Sequence, residues 1–140
     1  NPSQARAIAH GLHAEGSHLT IAARNEEKGH ALAAEVHCKC VDWQGRHNVR
    51  CDIVINCTPI GMHPKVDEAP VHHSFLQPGM IVFDTVYTPE TTLLVREARA
   101  RGQFGTVEHG SIWRLRGRRA RPPWWCASHR RSSPAGRRRA

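Results

Sequence analysis

The chain has 140 residues, a formal net charge of +8 and a sequence pI near 10.1. A hydrophobic content of 39% argues against a wholly disordered chain. No run approaches 18 consecutive apolar residues, which argues against a membrane span. The chain does not open with a basic and then apolar leader, so we expect a cytoplasmic location. Its length suits one ordinary domain or a fragment of a larger one.

The positive charge is concentrated at the end of the sequence. Residues 1–113 carry ten Lys and Arg against twelve Asp and Glu, whereas residues 114–140 carry ten Arg and no acid. We therefore expect a globular region of residues 1–112 and an Arg-, Pro- and Trp-rich tail of residues 113–140. The tail has no helical or strand periodicity, which predicts disorder. Such a tail can bind polyanions nonspecifically.

Hydrophobic periodicity and capping signals predict eight elements in the globular region. They are a helix at 4–14, strands at 19–22 and 40–41 around a helix at 25–36, strands at 52–56 and 80–84, a helix from Pro89 to Arg101, and a strand within 103–107. Asn25 is the expected N-cap of the second helix. Short, uniformly apolar strands that alternate with helices are typical of an α/β fold with a parallel sheet covered on both faces. Ligands of such folds bind at the carboxyl ends of the strands.

Two motifs follow strands of this predicted sheet. One reads Asn56-Cys57-Thr58-Pro59-Ile60-Gly61-Met62, and the other reads Asp84-Thr85-Val86-Tyr87-Thr88-Pro89. From about residue 4 to residue 102, the sequence resembles the cofactor domain of shikimate dehydrogenases, which carries Asn-x-Thr-x-x-Gly-Met and Asp-x-x-Tyr-x-Pro motifs. The similarity extends to the shikimate dehydrogenase part of bifunctional dehydroquinate dehydratase–shikimate dehydrogenases.

The resemblance implies a function and a cofactor. The family reduces 3-dehydroshikimate to shikimate with NADPH, in the biosynthesis of chorismate and aromatic amino acids, and its cofactor domain is a Rossmann-like sheet. The implied cofactor-binding residues are Arg24, Asn25, Lys28, Thr58, Met62 and Thr85. The resemblance also implies that the Tyr87 hydroxyl faces the substrate and that NADP(H) and shikimate or 3-dehydroshikimate are the small-molecule partners.

The segment that would hold the adenosine 2′-phosphate departs partly from the family pattern of Asn-Arg-Thr-x-x-Lys/Arg. Arg24 and Lys28 match it, while Ala23 and Asn25 stand in place of the family's Asn and Thr. An arginine after the strand suits bidentate phosphate recognition, and a lysine one turn later adds a point charge. The acidic side chains of Glu26 and Glu27 lie close by, so NAD stays open as the cofactor. The alternative explanation for Arg24 and Lys28 is that they are two solvated cations at the start of a helix.

Two further departures predict an incomplete enzyme. The family's first strand and its Gly-rich phosphate loop are absent, so we expect the sheet to lack its central strand. The family's Lys–Asp catalytic pair lies in an N-terminal substrate domain that this sequence does not contain, so no catalytic residue is assigned. Lys65 and Asp67 lie in the wrong domain to replace it. We therefore expect a fragment that is inactive alone, unless a separate substrate domain completes it.

Other functions remain open from the sequence. The tail residues Trp113, Trp124 and Trp125, with the ten arginines, are compatible with a nucleic-acid-binding protein. The globular region is also compatible with a dinucleotide-binding module for another substrate. The spacing of Cys38 and Cys40 does not match a zinc site, so we expect no metal, and the odd number of cysteines favours reduced thiols.

Overall fold

The computed structural model describes residues 2–102 and 106–107. Within these residues the order of helices and strands agrees with the sequence prediction. The elements are α1 (Pro2–Ala14), β1 (Thr20–Ala23), α2 (Glu26–Glu35), β2 (Lys39–Asp42), β3 (Ile53–Asn56), β4 (Ile81–Asp84), α3 (Leu93–Ala100) and β5 (Thr106–Val107), with short 3-10 helices at Gly45–Asn48 and His73–Phe75. The predicted domain boundary after residue 112 and the tail of residues 113–140 lie outside the described residues.

The start of α2 is determined by a side-chain cap, as predicted. The Oδ1 atom of Asn25 accepts a hydrogen bond from the backbone N–H of Lys28 at 2.9 Å. Glu26 and Glu27 occupy the first turn, where the helix dipole favours acidic side chains. This cap fixes the backbone of the segment that carries Arg24 and Lys28.

The start of α3 differs from the prediction. Pro89 and Glu90 were expected to open the helix, but it begins at Leu93, with Thr92 as the N-cap. The Oγ1 atom of Thr92 accepts a hydrogen bond from the backbone N–H of Val95 at 3.3 Å. A proline suits the first turn of a helix, but it offers no side-chain acceptor for the first backbone N–H groups. The threonine three residues later supplies that acceptor.

All strand pairs among the described residues are parallel, which confirms the predicted α/β class. β1 pairs with β2 from Thr20↔Lys39 to Ala23↔Asp42, and β3 pairs with β4, which pairs in turn with β5. In doubly wound folds the first strand lies between the second and the fourth. The observed order, β2-β1 in one sheet and β3-β4-β5 in the other, matches that arrangement without its first strand. Among the described residues, no strand lies between β1 and β3.

A cleft of about 490 Å³ lies between the two sheets, and we call it the intersheet cleft. Residues 17–22 line it on the β1 side, and residues 49–58 line it on the β3 side. The apolar face of α1 lines it as well, through Ala5, Ile8, Ala9 and Leu12. The apolar stripe of α1 therefore faces an opening in the sheet rather than a continuous layer of strands.

The buried residues form separate groups on either side of this cleft. The larger group lies between β4, α3 and the preceding loop, and it comprises Val71, Leu76, Val82, Leu94 and Ala98. On the other side, Gly29, Ala33 and Val36 are the buried residues of α2 and its C-cap. The described helices include none that is long and apolar enough to cross a membrane.

Helices α1 and α2 are joined by a polar cluster at the surface. The guanidinium of Arg6 donates its Nε–H to Glu35 Oε2 at 2.9 Å and also pairs with Glu35 Oε1. His10 Nε2 lies 3.1 Å from Glu35 Oε2. The hydrogen bonds from Arg6 and then His10 lower the pKa of Glu35 to about 2. Exposed pairs of this kind contribute little to stability, so the cluster mainly fixes the relative position of the two helices.

Candidate functional site

Two buried polar side chains meet at the carboxyl ends of β3 and β4. Asn56 and Asp84 are 2% and 4% exposed. The Nδ2 group of Asn56 donates to Asp84 Oδ1 at 3.0 Å and to the carbonyl of Ile60 at 3.2 Å. Because a buried polar group without a partner is costly, the two strand ends are held in a fixed relation by this contact.

Asp84 also binds the start of α3. Its Oδ1 atom accepts the backbone N–H of Val86 at 2.9 Å, and its Oδ2 atom accepts the hydroxyl of Thr92 at 2.7 Å. Desolvation raises the pKa of Asp84, and the hydrogen bonds from Val86, Thr92 and Asn56 oppose that rise. The carboxyl group is therefore a structural junction between β3, β4 and α3, and we call Asn56, Asp84 and Thr92 the strand-end network.

Thr58 connects this network to the loop after β3. The Oδ1 atom of Asn56 accepts both the backbone N–H of Thr58 at 3.0 Å and its hydroxyl at 2.7 Å. The Thr58 hydroxyl in turn accepts the backbone N–H of Ile60 at 3.2 Å. Burial raises the pKa of the neighbouring Cys57 thiol to about 11, so that thiol stays protonated near neutral pH. The loop is ordered by these short-range bonds.

Gly61 allows the loop to pass close to the rest of the site. Its φ is +91°, and a Cβ at this position would lie 3.2 Å from the carbonyl oxygen of Glu68 and 3.6 Å from Thr92 Cβ. Only glycine adopts this backbone conformation without strain. The turn places Met62 at the surface, where it is 39% exposed.

Backbone hydrogen bonds join this loop to the segment after β4. The N–H of Thr85 donates to the carbonyl of Asn56 at 3.0 Å, and the N–H of His63 donates to the carbonyl of Thr88 at 3.2 Å. Tyr87, which lies between these two contacts, is 62% exposed. Met62 and Tyr87 are thus large side chains displayed at the same end of the β3-β4-β5 sheet, which suits contact with a ligand or a second domain.

A second group of candidate residues lies at the carboxyl end of β1. Arg24, Asn25 and Lys28 are exposed. The Asn25 side chain is engaged in capping α2. Within residues 2–102, neither Arg24 nor Lys28 makes a side-chain hydrogen bond or ion pair, so both cations are available to a ligand.

The predicted site residues therefore fall into two groups. Thr58, Met62 and Thr85 lie together with Tyr87 around the strand-end network, whereas Arg24, Asn25 and Lys28 lie across the intersheet cleft at the end of β1. Their binding roles stay predictions. Lys65 pairs with Glu68 at 3.3 Å rather than with Asp67, so the two loop residues form no pair of their own.

Sequence reasoning missed the importance of three residues. Asn56 and Asp84 stood in the two motifs without a role, and Thr92 was placed inside a helix rather than at its cap. A polar residue that ends an apolar strand was the available signal, because parallel strands bring their carboxyl ends to one edge. Among the residues that the structure describes, no cluster of three or more His, Cys, Asp or Glu side chains is arranged to hold a metal ion.

The fold and this edge define an α/β domain of the dinucleotide-binding class, with a parallel sheet and polar loops at the carboxyl ends of its strands. The chain belongs to the family described as NADP oxidoreductase, coenzyme F420-dependent, whose model matches residues 3–86. That match includes Arg24 and Lys28. It also includes Asn56 and Asp84 of the strand-end network, but it ends before Thr92.

Individual relatives confirm the resemblance to shikimate dehydrogenases. The chain is 35% identical over 125 residues to the shikimate dehydrogenase (NADP+) of Syntrophobacter fumaroxidans. This match covers 86% of this chain and 43% of that protein. The quinate dehydrogenase of Corynebacterium glutamicum, solved with NAD, superposes with a TM-score of 0.67 at 31% identity over 74% of this chain and 39% of that one. A shikimate dehydrogenase solved with NADP+ gives a TM-score of 0.54 at 31% identity over 64% and 34% of the two chains.

The length of these matches is as informative as their identity. The chain spans about two fifths of the length of the curated relatives that it matches, for example 43% and 35% of two of them. The shared part is the part that contains the parallel strands and the two motifs.

Proposed function

We propose that this chain is the NADP-binding portion of a shikimate dehydrogenase, an enzyme that reduces 3-dehydroshikimate to shikimate with NADPH. The proposal is supported by the family match and by curated relatives that are shikimate dehydrogenases (NADP+). It is also supported by two motifs that lie at one edge of a parallel sheet.

The observation that carries the choice of NADP is the pair of exposed, unengaged cations at the end of β1. NADP differs from NAD by a phosphate on the adenosine ribose, and Arg24 can bind such a phosphate through two parallel N–H donors. Lys28 lies one helical turn further on and adds charge without a fixed geometry. An NAD-selective domain more often has an acidic side chain at the end of this strand.

The remaining residues fit the other end of the cofactor. The backbone from Thr58 to Met62, in the loop that Gly61 brings close to the sheet edge, would border the nicotinamide ribose, and Thr85 would lie against the cofactor. The cofactor supplies the hydride when it is bound. The contribution of this chain is to hold that end of the cofactor, and the exposed Tyr87 would orient the substrate.

The chain alone should have little dehydrogenase activity. Hydride transfer requires the two reactants to be held in near-attack geometry. The family's Lys–Asp pair, which handles the proton at the reacting hydroxyl, belongs to a substrate domain, and no residue described here takes its place. Turnover of shikimate and NADP+ by the 140-residue chain at the rate of a complete enzyme would contradict this expectation.

Binding calorimetry tests the cofactor assignment with small probes. We compare 2′,5′-ADP with 5′-AMP, and NADP+ with NAD+, against wild type and Arg24→Ala. Since a hydrogen bond to a charged group contributes about 1.5–3 kcal/mol, Arg24→Ala should weaken 2′,5′-ADP and NADP+ binding about 10- to 100-fold and leave 5′-AMP unchanged. Arg96→Ala, which removes an exposed arginine from α3, is the matched control. Equal loss for both probes, or equal wild-type affinity for both, would contradict an NADP site.

A second candidate is a portion of a related dehydrogenase with a different substrate. The structural match to a quinate dehydrogenase solved with NAD favours it. Shikimate and quinate can be titrated separately into the NADP+-loaded chain while the ring signals of Tyr87 are followed by NMR. Shifts with shikimate alone support the first candidate, and shifts with quinate alone support the second.

A further inference from the structure

Residues 70–76, which we call the pre-β4 segment, form part of the larger buried group. Val71 and Leu76 are members of that group, and α3 contacts the 3-10 helix within the segment. On its other side, Arg46 of the first 3-10 helix donates its Nε–H to the carbonyl of Pro70 at 2.6 Å. A change in how this segment is attached therefore reaches the core.

A second attachment of the segment uses a histidine as the hydrogen-bond acceptor. The backbone N–H of His72 donates to the Nε2 atom of His47 at 3.0 Å. A neutral imidazole accepts at Nε2 only when its proton is on Nδ1, whereas an imidazolium carries protons on both nitrogens and accepts no hydrogen bond. The ring of Phe75 packs edge-on against the ring of His47, with the ring centres 5.9 Å apart. This arrangement requires His47 to be neutral.

His72 uses its own imidazole as an acceptor in the same way. Its Nδ1 atom accepts the backbone N–H of Ser74 at 3.3 Å, and it lies 2.7 Å from the Ser74 hydroxyl oxygen. His72 is thereby the N-cap of the second 3-10 helix. A proton on Nδ1 leaves the hydroxyl oxygen as a partner but removes the acceptor of the backbone N–H. Two backbone N–H groups of the pre-β4 segment thus depend on neutral imidazoles.

Positive charge surrounds these two histidines. Arg46 precedes His47 in the chain, and the ring of His73 lies 4.0 Å from the ring of His72, measured between centres. Desolvation, followed by the charges of Arg46 and His72, lowers the pKa of His47 below its ordinary value of 6.5. A proton gained by any of these imidazoles therefore adds repulsion at a place where an acceptor has been lost.

Other charged groups lie on the two elements packed against this region. β2 contacts the first 3-10 helix, and α3 contacts the second. Carboxylates, ammonium groups and guanidinium groups ordinarily titrate outside the range in which imidazoles do, so the histidines are the groups expected to change charge near neutral pH. The charged residues of these two elements are Lys39 and Asp42 on β2, and Arg96, Glu97 and Arg99 on α3.

We propose that His47 and His72 form an acid-sensitive attachment, through which a fall in pH that protonates their imidazoles releases the pre-β4 segment from the first 3-10 helix. When His47 gains its proton, an N–H at Nε2 faces the N–H of His72, and attraction is replaced by repulsion. The contact between Arg46 and Pro70 is unaffected, so the segment opens locally. The proposal involves none of the residues assigned to the cofactor, so it stands independently of the proposed function.

The direction of the pH dependence follows from the neutral form being the bound form. Because the fold lowers the pKa of His47, its hydrogen bond contributes fully above about pH 6.5 and is lost as the pH falls through the lower pKa of the folded protein. The loss of one such hydrogen bond changes the equilibrium between closed and open segment by about 2- to 10-fold.

NMR of the ¹⁵N-labelled 140-residue chain, titrated from about pH 8 to about pH 5, tests the proposal. At the high end, long-range proton–nitrogen correlations should show the proton of His47 on Nδ1 and that of His72 on Nε2, because the other nitrogen of each ring is an acceptor. Solvent exchange of the His72 and Ser74 amides, corrected for its intrinsic pH dependence, should become about 2- to 10-fold faster as the imidazoles gain protons.

Two variants replace a titrating acceptor by one that does not titrate. The side-chain oxygen of His47→Gln lies near the position of Nε2, and that of His72→Asn lies near the position of Nδ1, where asparagine is a favourable N-cap. Each variant should keep the backbone hydrogen bond that its own acceptor receives, so the pH dependence of that amide should disappear. His73→Gln is the matched control, because within residues 2–102 the His73 ring accepts no backbone N–H. It should behave as wild type.

Any of three outcomes would overturn the proposal. A proton on Nε2 of neutral His47 would show that this atom is not an acceptor. Unchanged pH dependence in both His47→Gln and His72→Asn would assign the opening to other groups. Equal loss of the pH dependence in His73→Gln would assign it to repulsion among positive charges rather than to the loss of acceptors.

Discussion

Because α2 packs closely against β1 and β2, we predict that replacing its glycine by alanine destabilises the protein, the opposite of the usual effect inside a helix. Replacing glycine by alanine inside a helix normally stabilises it by about 1 kcal/mol, because alanine loses less conformational freedom. Gly29 lies inside α2 and is buried. A Cβ at this position would lie 2.6 Å from Ala23 Cβ and 3.1 Å from Cys40 Sγ.

The magnitude follows from these distances. Carbon atoms in contact are normally about 3.5–4.0 Å apart, so the new methyl would overlap Ala23 Cβ by about 1 Å. That atom is attached directly to the strand backbone and cannot rotate away. Overpacking of this kind costs about 1–3 kcal/mol, which equals or exceeds the gain in helix propensity. Gly29→Ala should therefore be destabilising by up to about 2 kcal/mol.

Gly11→Ala provides the matched control. Gly11 lies inside α1, and a Cβ there would meet no atom within 4 Å. This variant should be more stable than wild type by about 0.5–1 kcal/mol. Urea denaturation followed by circular dichroism measures both variants. The double variant Gly29→Ala with Ala23→Gly removes the closest overlap and should recover part of the loss.

Two results would refute the reasoning. If Gly29→Ala is stabilised to the same extent as Gly11→Ala, then α2 does not pack at the described distance from β1. If the double variant is simply the sum of its two single variants, the loss does not arise from contact between these two side chains.

Three other substitutions test the strand-end network and its loop by urea denaturation. Thr92→Val removes both a hydrogen bond to the Asp84 carboxylate and the N-cap of α3, so it should lower the free energy of unfolding by about 2–4 kcal/mol. The neighbouring Thr91→Val should change it by less than about 0.5 kcal/mol. Equal effects of the two substitutions would contradict the network. The folded-state pKa of Asp84 is raised above its ordinary value of 3.8, so the stability that its protonated form contributes is lost as pH rises from about 4 through the folded pKa. Wild type should therefore lose stability relative to Asp84→Asn as the pH rises above about 4, and a constant difference would refute this sign. Gly61→Ala should cost more than Gly79→Ala, because the two glycines have similar positive φ values but only Gly61 has a carbonyl oxygen 3.2 Å from the added Cβ; equal losses would assign the whole cost to backbone strain.

Local signals in the sequence were sufficient to predict most of the elements. The signals for the start of α2, the Asn25 cap and the acidic first turn, all lie in a segment of four residues, and α2 begins as predicted. The apolar runs at 52–56 and 80–84 likewise became β3 and β4. These features depend on residues close together in the chain, which is why a single sequence reveals them.

Features that depend on distant residues were not predicted. Asn56 and Asp84 are 28 positions apart, and their hydrogen bond exists because β3 and β4 are adjacent and in register. The start of α3 was misplaced because Thr92 is oriented by Asp84 as well as by its own helix. No periodicity in the sequence reports such a contact, although a polar residue at a strand end indicates where to look for one.

The 3-10 helices show the same limitation on a smaller scale. The helix at Gly45–Asn48 follows a turn in which Asp42 Oδ1 accepts the N–H of Gly45. The nearby Arg46 guanidinium donates to the carbonyl of Pro70 at 2.6 Å and lies 4.2 Å from the centre of the Trp43 ring. The contact with Pro70 spans 24 positions, so the sequence offered no local pattern for it.

The hydrogen bonds that unite the loops after β3 and β4 have a consequence for the thermodynamics of ligand binding. Ordering the backbone of one residue costs about 1–2 kcal/mol in conformational entropy. The backbone N–H groups of Thr58, Thr85 and His63 are all hydrogen-bonded within the protein. A molecule that contacts Met62 or Tyr87 therefore meets a surface that is organised in advance, and little of its interaction energy is consumed in ordering these loops.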